Sequence, residues 1–250
     1  MTFIGVDPSA GDKPMAYVAL DHECNVIVLS KGNMEEVMAF AAGQSHSMIA
    51  VCAPRQPNKK LMVRPEMRES LIPSPNPGRW LNARVVEYLL RCRNIRIPLT
   101  PHAEEKCPRW MQMSFSIFQR LNEFGYKNYP NEQAERQVLE VYPHASYAVM
   151  LNLLPFPKHT IEGRLQRQLI LNENGVNVTD PMIFFEEITR YKLLNGVLPQ
   201  DILFSSDELD ALVGAFTAWV AAQHPSKVTV LGDPDEGQVV LPIDELKPYY

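Results

Sequence analysis

The chain has 250 residues, 46% of them hydrophobic and 21% charged, with a net charge of −5; this is the profile of a globular protein with ample chain for one large domain or two small ones. No apolar run reaches the ~18 residues of a membrane span, and Met1 leads into an apolar strand rather than the segments of a signal peptide. Four scattered cysteines with no Cys-x-x-Cys pair exclude a zinc ribbon and a secreted disulfide framework, so a reducing cytoplasm is the expected setting.

TFIGVD (2–7) is a short apolar run ending at Asp7 and closed by Pro8, and it predicts a first strand. PMAYVALD (14–21) and NVIVLSKG (25–32) predict two more strands joined by a tight polar link, hence a hairpin. Between them and the first strand, Ser9-Ala10-Gly11 has the small-residue character of an anion-binding turn. NMEEVMAFAAGQ (33–44) carries helical spacing at Met34, Val37, Met38 and Ala41 behind an Asn33 cap, and MIAVCAP (48–54) reads as a buried strand closed by Pro54.

The chain then changes character. Residues 54–77 hold six prolines, which rule out a regular helix or a central strand there. Helices are expected over 79–91 and 109–124, so that an insertion of about 54–130 interrupts the sheet. Between Arg55 and Arg109 twelve Lys/Arg face five Asp/Glu, a local +7, and the remainder carries twelve against twenty-four, −12. Such a division predicts a basic segment set against an acidic body, suited to phosphate.

QVLEVYPH (137–144) returns to strand character, and Glu140 sits in it as a charge between apolar residues that needs a partner if buried. Lys158, Arg164 and Arg167 are the candidate partners, with a metal as the other possibility. Helices are expected over 161–172 and 181–191. SSDELDALVGAFTAWVAAQ (205–223) predicts a long one, with Ser205 and Glu208 as a capping box. Its body is apolar on most faces, yet its first turns carry Asp207, Glu208 and Asp210. The helix dipole accounts for the first two acids and less well for Asp210. KVTVLGDPDEGQVVLPI (227–243) predicts a terminal hairpin. Together the elements give a single mixed α/β domain over 1–250.

The motifs GVDPS (5–9), IAVCAP (49–54), EVYPHAS (140–146), PKHTIEGRLQR (157–167), DELDAL (207–212) and GDPDEGQVVLP (232–242) resemble, in order, an uncharacterised family of predicted RNase H-like nucleases. The resemblance implies a ribonuclease H-like sheet of order 3-2-1-4-5 flanked by helices. It implies divalent-metal hydrolysis of phosphodiester bonds in DNA or RNA, with Mg²⁺ or Mn²⁺ on Asp7, Asp207 and Asp210, and Glu140 as a further catalytic acid. Arg55, Lys59, Lys60, Lys158 and Arg167 are the expected nucleic-acid contacts. Two positions depart from the family pattern: Cys52 stands where Asp is usual, and His144 where Glu is common. Both become candidate accessory residues. Cys52 also raises the alternative of a nucleic-acid-binding protein with an impaired metal site. A phosphotransferase of the sugar-kinase and actin branch is the third reading, although the second phosphate loop and Gly-rich adenosine motif it needs are not found.

Overall fold

The computed structural model describes residues 1–10 and 13–250; Gly11 of the expected anion turn lies outside the described residues. Three strands open the chain, β1 (Thr2–Asp7), β2 (Met15–Leu20) and β3 (Val26–Gly32), followed by helix α1 (Met34–Ala42) and strand β4 (Ser47–Val51). The insertion supplies α2 (Pro65–Glu69), α3 (Val85–Cys92) and α4 (Arg109–Glu123). Then come β5 (Lys127–Asn128), β6 (Arg136–Glu140), α5 (Pro143–Leu151), α6 (Ile161–Glu173), α7 (Ile183–Glu187), α8 (Arg190–Leu194), α9 (Ser206–Gln223), β7 (Thr229–Asp233) and β8 (Gly237–Leu241).

Among the described residues, eight strands form one mixed sheet of order β3-β2-β1-β4-β6-β8-β7, with β5 beside β6. β2 runs antiparallel to both β1 and β3, as the hairpin reading requires, whereas β4 and β6 continue parallel to β1. The terminal hairpin forms as well, and it widens the sheet past the five strands expected from sequence.

Period-two alternation sorts the strands into two cores. Phe3, Ala50, Leu139 and Val141 pack under α9 with Leu209, Leu212 and Phe216. Ile4, Val6, Ile49, Val51 and Val138 face the other way, toward α1 and α4, with Val37, Ile117 and Phe118. This parity decides where each strand-end acid points.

Two expected helices are revised. Residues 79–84 stay outside α3, because Arg84 takes an extended backbone as its N-cap. The predicted 181–191 helix is two short ones, since Ile188 and Thr189 are extended and the Thr189 hydroxyl caps α8 by accepting from the Lys192 N–H at 3.2 Å. No helix among the described residues is long and apolar enough to cross a membrane.

Candidate active-site cleft

The parallel strands β1, β4 and β6 end together, and the crevice outside their carboxyl ends is the usual ligand position in an open α/β sheet. A cleft of about 720 Å³ opens there. Asp7 enters from the end of β1, Cys52 from just past β4, and Tyr142, Pro143 and His144 from the cap and first turn of α5. Asp207 and Asp210 come from the start of α9, Lys158 from the loop before α6, and Arg167 from α6 itself.

Helix α9 is brought to the floor of the cleft by glycine. A Cβ on Gly5 would lie 1.9 Å from the Ala211 carbonyl oxygen, and one on Gly214 would lie 2.8 Å from Cys52 Sγ. Only bare backbone permits that approach. The capping box then fixes the first turn: Ser205 Oγ accepts from the Glu208 N–H at 3.4 Å, and the Glu208 carboxylate accepts from the Ser205 N–H at 2.8 Å. Asp210, buried one turn further in, is thereby held next to Asp7.

The electrostatics of this pair are unbalanced. Burial, and then the charge of Asp210, push the Asp7 carboxyl well above its ordinary range, and Lys158 offsets only part of this. No described residue supplies a hydrogen bond that would hold Asp7 ionised. Asp210 has a direct counter-ion, with Lys158 Nζ 2.6 Å from its Oδ2. Burial still pushes Asp210 upward, against the pull of Lys158 and then Arg167. Burial alone would lower the Lys158 ammonium, but Asp210 outweighs it and the net shift is upward.

A second ring of contacts aims these groups. Gly163 lets the chain at Pro157 lie against α6, where a Cβ would meet the Pro157 carbonyl oxygen at 2.0 Å. That contact delivers Lys158 to the cleft. Arg167 is buried, and its Nη1 donates to the Phe156 and Gly163 carbonyls at 2.8 Å each, while its guanidinium stacks 5.2 Å from the Tyr147 ring centre. Tyr147 in turn donates its hydroxyl to the Leu209 carbonyl at 2.7 Å. Burial, reinforced by Arg167, lowers His144 and keeps its imidazole neutral near pH 7.

Cys52 is seated rather than free to bind. Its thiol donates to the Asp210 main-chain carbonyl at 3.2 Å, and burial pushes its pKa well up. It is a small buried group under α9, not a thiolate. Among the described residues no set of three His, Cys, Asp or Glu side chains is spaced to hold a metal by itself. The donor set instead fits a hard cation of the kind held by one or two carboxylates and completed by water and substrate oxygens. Asp7 and Asp210 are the buried or half-buried carboxylates of the cleft that could supply such oxygens.

The remaining sequence candidates lie elsewhere. Glu140 points to the sheet face opposite Asp7, because Leu139 and Val141 take the α9 face. There it forms a buried two-pronged ion pair with Arg84, at 2.7 and 3.0 Å, rather than with Lys158, Arg164 or Arg167. Arg55 lies beside that pair, its side chain on the Pro234 carbonyl and its N–H donating to Glu140 Oε2 at 3.1 Å. Lys59 and Lys60 are exposed next to the β7–β8 turn, where the Lys59 N–H donates to Glu236. The structure therefore brings together Asp7, Asp207, Asp210, Lys158, Arg167, Cys52 and His144, and leaves out Glu140, Arg55, Lys59 and Lys60. From the basic segment it is Arg96 that reaches the cleft, with Trp110 nearby. Arg96 carries no local sequence signal beyond membership of that segment, and Trp110, one residue past its end, carries none.

The profile of one family spans almost this whole framework. Residues 5–236 match the family described as "Protein of unknown function (DUF429)". The chain belongs to this family. Comparison with curated proteins and with solved structures gives no match. The matched span includes every residue of the cleft named above.

Proposed function

We propose that the cleft hydrolyses phosphodiester bonds in DNA or RNA, with Mg²⁺ or Mn²⁺ held by Asp7 and Asp210. One observation carries this reading: two carboxylates from distant elements line one crevice and act on each other electrostatically, and among the described residues Lys158 alone is in direct contact to offset them. Two like charges brought together out of water are costly unless a cation joins them or a proton neutralises one. The order β3-β2-β1-β4-β6 supports a ribonuclease H-like version of the fold, in which such acids carry the chemistry. All four cysteines are free, which suits the cytoplasm.

A bound divalent ion would neutralise charge at the phosphate and acidify the attacking water. Lys158 adds positive charge beside Asp210, and Arg167 adds a second fixed charge against the phosphate. His144, neutral near pH 7, can take the proton released by the attacking water. Asp207, exposed at the rim, makes the mouth more attractive to cations.

The test is Mn²⁺- or Mg²⁺-dependent cleavage of a mixed panel of DNA and RNA. Asp7→Asn and Asp210→Asn are each expected to abolish it; unchanged cleavage in both variants rejects the reading. A second reading, a nucleic-acid-binding protein without cleavage, is favoured by the seated Cys52 and by the Lys158–Asp210 pair. It predicts binding that weakens steeply with salt, as Lys and Arg displace counterions, and Cys52→Asp should then confer activity. Salt-independent binding argues against it.

A further inference from the structure

The cleft is bounded by elements from both halves of the chain. Arg96, Ile97, Pro98 and Trp110 reach it from the insertion, and Pro155, Phe156 and Pro157 close it from the loop before α6. A space of about 720 Å³ is the size that encloses one small ligand. A duplex keeps its bases stacked inside and offers its phosphates along an open face, and a space of this size does not take in a base from it.

The lining is divided by chemistry. Asp7 and Asp210 supply its carboxylates, Lys158, paired with Asp210, and Arg167 its positive charge, and Trp110 with the prolines its apolar surface. Arg167 adds an independent observation. It is 2% exposed, its Nη1 serves two carbonyls, and its buried Nε has no partner among the described residues. Arg84 also keeps a spare Nε, but Arg167 lines the cleft, where a guanidinium with an unspent N–H can meet a planar or tetrahedral oxyanion.

We infer that the cleft takes one nucleotide unit at a time, its phosphate against Lys158 and Arg167 and its base against Trp110. The substrate is then a strand terminus, with a free nucleotide binding as the released product does, and not an interior bond of a duplex. This rests on the phosphodiester reading of the same site. In the step, water adds its oxygen to phosphorus, the bond from phosphorus to the neighbouring nucleoside oxygen breaks, and that oxygen takes a proton. One water is consumed and one nucleotide leaves.

The test has two arms on the full chain. In the first, nucleoside monophosphates are titrated without catalysis, in EDTA, with tryptophan fluorescence as the readout. Quenching is expected, and Trp110→Phe should remove it, while Trp110→Ala should weaken affinity, read by calorimetry, roughly five- to hundredfold, the range of base stacking on an aromatic ring. In the second, an end-labelled linear single strand and a circular strand of the same sequence are incubated with Mg²⁺. Stepwise release of mononucleotides from the linear strand, with the circle intact, assigns the cleft to strand ends. Quenching with both strands untouched assigns it to free nucleotides and rejects the hydrolytic reading. Cutting of the circle at the linear rate overturns the inference and leaves the hydrolytic reading standing. Absence of quenching, or quenching unchanged in Trp110→Phe, overturns the inference as well.

Discussion

Two charged clusters lie within this one sheet, on opposite faces, one sealed and one opening on the cleft, and they are built on opposite principles. Around Arg84 the polar groups close on one another, and of the guanidinium nitrogens only Nε is left without a partner among the described residues. Its guanidinium grips Glu140 and also donates to the Glu236 carbonyl at 3.2 Å, and Glu236 accepts the Val85 and Lys59 N–H groups. Glu87 accepts from the Arg84 N–H, and from the N–H and hydroxyl of Thr100. Burial pulls Arg84 down, but Glu140 more than restores it and holds it charged. This cluster ties the insertion to β6 and to the β7–β8 turn. Around Asp7 the groups do not close: a carboxylate stands without a donor among the described residues, beside a second one that has the lysine. A closed network fixes a fold, and an open one keeps interaction energy in reserve for a ligand.

Breaking the closed cluster should give the largest effect. Arg84→Met leaves the Glu140 charge buried and unpaired, and is expected to cost about 3–5 kcal/mol in urea unfolding. The double variant Arg84→Met/Glu140→Leu should recover most of that. A single-variant loss below ~1 kcal/mol would show that the network does not hold the insertion. Next, Gly5→Ala drives a methyl into the Ala211 carbonyl, and a cost of about 1–3 kcal/mol should appear together with loss of cleavage as α9 shifts.

Asp7→Asn sharpens the contrast by changing sign. The folded pKa of Asp7 lies above its ordinary value of 3.8, so its contribution to stability is complete below that value and is lost as pH rises through the folded pKa. At pH 8 the amide should therefore raise Tm, by roughly 2–4 °C for each kcal/mol relieved, while at pH 3.5 the difference should vanish. The Tm gain of the wild-type protein in Mg²⁺ should likewise be greater at pH 8 than at pH 5. Equal melting of Asp7→Asn and the wild-type protein across that range would place the carboxyl in ordinary solvent. Lys158→Met should have the smallest effect, about 1 kcal/mol or less at pH 7, because its side chain is 39% exposed and water screens the pair.

How much of this was legible in the sequence follows from what kind of signal each part leaves. Ser205 and Glu208 mark the start of α9 by local chemistry, and the apolar body of that helix announces its burial. The convergence of Asp7 with Asp210 followed from strand order and from the acidic turn. The partner of Glu140 did not, because one residue of parity separates the two sheet faces, and only the register against the cores reveals it. Arg84 left no local trace either: it sits at the start of an ordinary amphipathic helix, and its partners are 56 and 152 residues away in the chain. The basic segment was visible as composition, but its fully buried arginine and its cleft-lining one look alike in sequence.

The contact of α9 with β1 through Gly5 and Gly214 makes the spacing of the two acids a main-chain dimension. Side chains throughout the hydrophobic interior can change size and be absorbed by their neighbours while that distance stays the same. Divergent members of such a lineage can thus rebuild most of their interior without retuning the chemistry, provided two positions never acquire a side chain.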